Sequence, residues 1–162
     1  MSRLPWNPFI IGLLDAYTDV RNTYLMLEYG PCGTVLDHVQ RTNGLRFNDA
    51  LFYYSNIILG LEFLHTQGII HRDIKTDNVL VGADGYAMIT DFGMARHIDE
   101  RTQWGDQVGT NTFMSPEALS GKVTSLEARI AVDWWAAAVT FFDMIMNGLV
   151  SSCLLLNRLI DD

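Results

Sequence analysis

The sequence predicts a mostly helical α+β body. Three observations carry this. A run rich in strand formers, YLMLEY at residues 24–29, precedes a long stretch with apolar residues at helical spacing. Two short apolar runs then flank Asp84-Gly85, a hairpin signal. Finally, residues 131–147 are apolar nearly all round, which predicts a buried helix.

In chain order, residues 24–29 read as a buried strand, and Gly30-Pro31-Cys32-Gly33 breaks it. Thr34 can cap a short helix running to about Arg41. Asn48 has the chemistry of an N-cap for the long helix, whose predicted inner face is Leu51, Tyr54, Ile58, Leu61 and Leu64. Gly68 sits where a helix-terminating glycine belongs. The hairpin strands are residues 79–81 and 86–89. Residues 91–115 have no sustained period and read as a long loop, a class of segment that is usually functional. Gly148 is the expected stop of the last helix.

Composition narrows the function. The 162 residues are 49% apolar, which excludes a disordered chain. Nineteen acids against 11 bases leave a net charge of −8, so neither nucleic acid nor an anionic membrane is the expected partner. Cys32 and Cys153 are too few and too far apart for a disulfide framework or a zinc site, which points to a reduced, cytoplasmic setting, with the nucleus possible. Residues 1–8 have no apolar core like that of a signal peptide. The apolar stretch at 132–146 is too short to span a bilayer and is interrupted by Asp133 and Asp143.

The chemistry sits around the hairpin. His71-Arg72-Asp73-Ile74-Lys75-Thr76-Asp77-Asn78 precedes it, and Asp91-Phe92-Gly93 follows it. In a tight loop, Asp73 can accept a hydroxyl proton and Lys75 can aim a cation at moving phosphoryl charge. Asn78 and Asp91 offer hard oxygen ligands suited to Mg²⁺. Gly93 lets the backbone swing. Alone, Asp73 and Asn78 would read as a solvated turn pair. The two motifs in this order are those of protein-kinase catalytic and metal loops.

The chain therefore resembles a protein kinase, from about Asn7 to Gly148. Ser115-Pro116-Glu117 is similar to the family's Ala-Pro-Glu motif, and Asp133-Trp134-Trp135 to the start of its central helix. The resemblance implies the end of a small lobe plus the first, mainly helical part of a large lobe. It implies ATP and Mg²⁺ as cofactors and a protein serine or threonine as substrate. Leu27 then falls on the gatekeeper position, Glu28 and Gly30 on the adenine linker, and Leu80 on the floor beneath adenine. Leu27 and Leu80 also read as ordinary strand core. Leu13, His71 and Phe92 would stack as a spine between the lobes. Thr110 would bond Asp73 and Lys75, and Asp133 would hold the catalytic-loop backbone, its other reading being a helix N-cap. Lys75 and Gly109-Thr110 fit serine/threonine kinases, and the overall texture is most like the AGC group, particularly its protein-kinase-C-like members. Arg72 would pair with negative charge in the activation loop. Asp106, three residues before Gly109, is the expected permanent source, its other reading being a solvated carboxylate.

No G-x-G-x-x-G occurs, and no lysine stands in a V-A-I-K context. The expectation is a partial kinase domain over residues 1–148 with a divergent tail at 149–162, cut at both ends. Glu117 is expected to lack a buried partner. Ala138, where the family usually has glycine, is expected to crowd the helix packing. The alternatives to an active fragment are a catalytically impaired regulatory or scaffold fragment, or an incomplete gene product.

Overall fold

The computed structural model describes residues 4–100 and 109–147. Strands β1 (Leu13–Thr18) and β2 (Thr23–Leu27) form an antiparallel pair, joined through a tight turn in which Asp19 caps the Arg21 and Asn22 amides. Helices α1 (Val35–Thr42) and α2 (Phe47–Thr66) follow. Strand β3 (Ile69–Ile70) leads to a 3₁₀ turn and the hairpin β4 (Val79–Val81) and β5 (Ala87–Ile89). Strand β6 (Arg96–His97) returns to pair with β3, and α3 (Pro116–Leu119) and α4 (Leu126–Met146) complete the order.

The core lies where α2, α4 and the β4–β5 hairpin meet. Ile57, Leu61, Leu64, Ile74, Val79, Val81, Ile89, Ala137 and Met144 are buried there together. Gly60 permits a close approach at this junction. A Cβ on it would lie 2.9 Å from Ile89 Cδ1 and 3.1 Å from the Phe9 carbonyl. The segment at residues 9–11 is stitched to β5 by Ile11 N–H to Ile89 O (2.9 Å) and Ile89 N–H to Phe9 O (2.8 Å).

Several expectations hold. Thr34 caps α1 with a reciprocal capping box to Asp37. The 79–81 and 86–89 runs pair as a hairpin, with Gly85 at φ +84° in its turn. Gly68, at φ +71°, follows the end of α2.

Others need correction. The N-cap of α2 is Arg46, not Asn48, because the Arg46 carbonyl already accepts the Asp49 and Ala50 amides. Of the predicted inner face, Leu61 and Leu64 are buried and Tyr54 and Ile58 pack half-buried against the core, whereas Leu51 is exposed and Ala50 and Ile57 lie inside. The strand at 24–29 ends at Leu27 and is exposed along its length, because β1 is its only neighbour and no layer of the described residues covers the pair. The 91–115 stretch contains β6 and two 3₁₀ turns rather than loop alone. Helix α4 begins five residues earlier than expected, capped by the Ser125 hydroxyl. It is buried on one face only, and Ala138 lies on the open face, where it crowds nothing. Asp106, Gly148, Cys153 and residues 149–162 lie outside the described residues. Among the described residues no helix is long and apolar enough to cross a membrane.

Candidate active site

Asp133, fully buried on α4, organises the loop that follows β3. Its Oδ2 accepts the His71 amide at 2.9 Å, and its Oδ1 accepts the Arg72 amide at 2.8 Å. His65, at the end of α2, donates its Nε2–H to Oδ2 at 2.9 Å. A buried carboxylate needs such donors, and here three arrive from two separate elements. The geometry sets aside the N-cap reading, since Ser125 caps α4. These bonds also hold Arg72 at φ +68°, a left-handed conformation that costs a non-glycine residue energy.

The turn thus made presents Asp73. Its Oδ1 accepts the Thr110 amide (3.1 Å) and hydroxyl (3.0 Å). Its Oδ2 accepts Asn78 Nδ2 (2.8 Å) and lies 2.9 Å from the Lys75 ammonium. Lys75 also donates to the Thr110 hydroxyl at 2.8 Å, and Asn78 Nδ2 reaches the Asp73 carbonyl at 2.8 Å. Burial pushes the Asp73 carboxyl up. The hydrogen bonds from Lys75, Thr110 and Asn78, with the ammonium charge, outweigh it and hold the group below the usual carboxylate range. Gly109 permits the approach of Thr110. It stands at φ +115°, and a Cβ there would lie 2.6 Å from the Arg72 carbonyl.

A second loop closes on the first. Asp91 sits at φ 60°, ψ 76°, with Oδ1 accepting the Gly93 amide at 3.1 Å. Phe92 meets the His71 ring edge-on, with centroids 5.1 Å apart. His71 accepts the Asp73 amide on Nδ1 (3.3 Å) and donates Nε2–H to the Thr90 carbonyl (2.9 Å). Burial pushes its pKa down, which suits that neutral tautomer. Arg72 Nε donates to the Met94 carbonyl at 2.7 Å. Side-chain donors of the first motif thus bond backbone carbonyls beside the second and couple the two across the hairpin.

Leu27, Asp91, Phe92 and Leu13 line one cavity of about 540 Å³ beside β1 and β2. Glu28, Gly30 and Leu80 do not line it. The Glu28 carboxylate turns back to accept the Gly12 amide at 2.9 Å, while its own amide donates to the Gly12 carbonyl. Gly30 lies against Leu80, where a Cβ would stand 2.9 Å from the Leu80 Cβ. Among the described residues, nothing bonds the Glu28 carbonyl or the Gly30 amide. Glu117, half-buried on α3, forms no ion pair with another described residue.

Two supports of the candidate site escaped the sequence. His65 supports Asp133, yet a histidine near a helix end carries no motif. Thr76 donates to the buried Asp143 at 3.0 Å, tying α4 to the loop that follows β3. Asp133, Thr140 and Asp143 all fall on the buried face of α4, a periodicity that was available as a signal.

No group of three or more histidine, cysteine or acidic side chains that could hold a metal occurs among the described residues. Asn78 Oδ1 and Asp91 Oδ2 nonetheless remain uncommitted to hydrogen bonds within the described residues. Two hard oxygens suit Mg²⁺ when phosphate oxygens and water complete its shell.

Residues 1–152 match the protein kinase domain family. The chain belongs to the protein kinase family. It is 37% identical over 139 residues to the cAMP-dependent protein kinase catalytic subunit of Dictyostelium discoideum, covering 86% of this chain and 20% of that protein. It is 39% identical over 143 residues to the rabbit (Oryctolagus cuniculus) protein kinase C zeta type, covering 86% and 23%. To the Caenorhabditis elegans ribosomal protein S6 kinase beta it is 40% identical over 151 residues, covering 88% and 25%. These similar proteins are AGC kinases. The chain spans a quarter or less of the length of these three curated relatives.

Proposed function

We propose that this chain carries the phosphoryl-transfer centre of a serine/threonine protein kinase, which moves the γ-phosphoryl group of ATP to a protein hydroxyl. The observation that carries the reading is the closed Asp73–Lys75–Asn78–Thr110 network. Asp73 is ionised at neutral pH and fixed by four donors, so it can orient a hydroxyl and take its proton as the new O–P bond forms. Lys75 lies beside it with an ammonium available to transferring charge. Thr110 holds both in register from the far side. Asn78 and Asp91 would hold Mg²⁺, which when bound with ATP supplies charge neutralisation between phosphates. The Glu28 carbonyl and Gly30 amide would bond the adenine edge over Leu80, with Leu27 behind it. Asp106 would give Arg72 its permanent anionic partner. The substrate would be a protein serine or threonine, met in the cytoplasm or nucleus.

A scaffold function is the second reading, favoured by the exposed apolar faces of β1 and β2. Incubating the protein with γ-labelled Mg-ATP and a serine-containing protein acceptor separates the two. Transfer that is lost in Asp73→Asn, with the fold retained, supports the enzyme. Equal label from the wild type and Asp73→Asn refutes it and leaves the scaffold.

A further inference from the structure

Strand β5 is gripped from α2 by a polar side chain. On the edge of β5 away from β4, the Ile89 amide donates to the Phe9 carbonyl at 2.8 Å, a main-chain partner. The Ala87 amide donates instead to a side chain, Asn56 Oδ1 on α2, at 2.8 Å. Ala87 is 1% exposed and Asn56 4%, so water cannot take the place of this bond. Asn56 is itself held. Its Nδ2 donates to the Phe52 carbonyl one turn back at 2.9 Å, which fixes the direction of Oδ1. One turn on, Gly60 admits Ile89 against the helix. Residues 56 and 60 share one face of α2, so the helix holds β5 at both ends, by a hydrogen bond at Ala87 and by close contact at Ile89. A buried amide side chain on a packing face is costly unless paired, and the bond to Ala87 supplies the pairing.

The strand so held leads into the candidate site. Asp91 lies two residues past Ile89, and Asn78 directly precedes β4. The Thr90 amide donates to the Asn78 carbonyl at 2.9 Å, joining the ends of the hairpin just before Asp91. Asn78 is fixed independently through Asp73. Among the described residues, the Asp91 side chain bonds only the Gly93 amide of its own turn. The place of Asp91 therefore follows from where β5 lies on α2.

We propose that Asn56 is a positioning residue for Asp91: by accepting the Ala87 amide it fixes β5 on α2 and so sets Asp91 relative to Asn78. The placement stands on the hydrogen bonds alone, while its consequence for metal binding rests on the role given to Asn78 and Asp91 above.

Amide hydrogen exchange and Mn²⁺ binding by the full chain test it. In the wild type the Ala87 amide should exchange as slowly as that of Ile89, and exchange at the rate of an unprotected amide overturns the proposal without any variant. Asn56→Leu keeps the side-chain size and removes the acceptor. It should speed exchange at Ala87 and Thr90 by about tenfold or more relative to Leu61, whose amide in the buried middle of α2 reports global opening. Asn56→Asp keeps an oxygen for Ala87 and should return the Thr90 rate toward that of the wild type. Phe141→Leu is the control. It loosens the contact of α4 with Phe47 and Tyr54, away from β5, and should leave the ratio of Thr90 to Leu61 rates unchanged. Mn²⁺ titrated in the presence of ADP, followed by the paramagnetic resonance of the free ion, should bind Asn56→Leu about tenfold more weakly than wild type or Phe141→Leu, the lower end of the loss seen when a group that orients a metal ligand is removed. A wild-type Thr90 rate in Asn56→Leu overturns the proposal, as does an equal rise in Phe141→Leu. A wild-type chain that binds no Mn²⁺ refutes the metal role of Asn78 and Asp91, and the exchange ratios then uphold or overturn the placement of Asp91 by themselves.

Discussion

Replacing Asp133 with alanine removes the acceptor for two loop amides and one imidazole. The amides of His71 and Arg72 and the His65 ring lose bonds of 2.8–2.9 Å to a buried carboxylate. A hydrogen bond to a charged group contributes about 1.5–3 kcal/mol, and a buried donor left unsatisfied costs about 1–3 kcal/mol. Two stranded amides, partly rescued by water, set the loss at about 3–6 kcal/mol, a large share of the roughly 5–15 kcal/mol that holds a typical domain. Arg72 also loses what holds it at φ +68°. Asp133→Asn keeps one oxygen to accept an amide but loses charge and turns an amino group toward a donor, so its cost is lower, about 1–3 kcal/mol. Urea unfolding followed by tryptophan fluorescence measures both. Trp134 packs edge-on to His65 at 5.2 Å and reports directly on this corner. The expected order is wild type, then Asp133→Asn, then Asp133→Ala. An Asp133→Ala protein within about 1 kcal/mol of wild type would refute the view that this carboxylate holds the loop.

Three further predictions follow from the same geometry. Gly109→Ala drives a Cβ toward the Arg72 carbonyl at a φ that alanine resists. It should lower the melting temperature and, if the chain transfers phosphate, weaken transfer more than Gly85→Ala, whose Cβ would meet nothing. Burial pushes the Asp143 carboxyl up, with the Thr76 hydrogen bond opposing and the Asp77 charge adding to the rise. Its ionised form therefore costs stability at neutral pH. Asp143→Asn should raise the melting temperature at pH 7, and the gain should vanish once pH falls below the unfolded-state pKa, where both states are protonated. His71 moves the other way, its pKa depressed by burial. The unfolded chain takes up that proton first, so stability should fall as pH drops below about 6.5, read by thermal melts from pH 7.5 to 5.

Legibility differed by residue for physical reasons. Thr34 and the Asp84-Gly85 hairpin were readable because capping and turn chemistry act over a few neighbouring residues. The entry to α2 was not, since the Asn48 side chain suits a cap but the Arg46 carbonyl takes the first amides. The exposure of β2 was invisible for another reason. Strand propensity describes a side chain's fit to a pleated surface, not whether a second layer covers it. At the candidate site, Asp73, Lys75, Asn78 and Thr110 were expected together and do meet. Leu27 and Asp91 share a cavity from which Glu28, Gly30 and Leu80 are absent, a division that motif order does not encode.

The sequence by itself determined the family, because the two motifs stand in a fixed order around a hairpin with chemistry suited to phosphoryl transfer. It also determined which residue types meet at the candidate site. Only the tertiary structure decided how they are held. Asp133 reaches the loop after β3 across some sixty positions, and His65 stands behind it. Thr76 bonds Asp143, and one face of α4 stays open. Such contacts arise between elements distant in sequence. They depend on packing angle and helix phase, which local propensity does not specify.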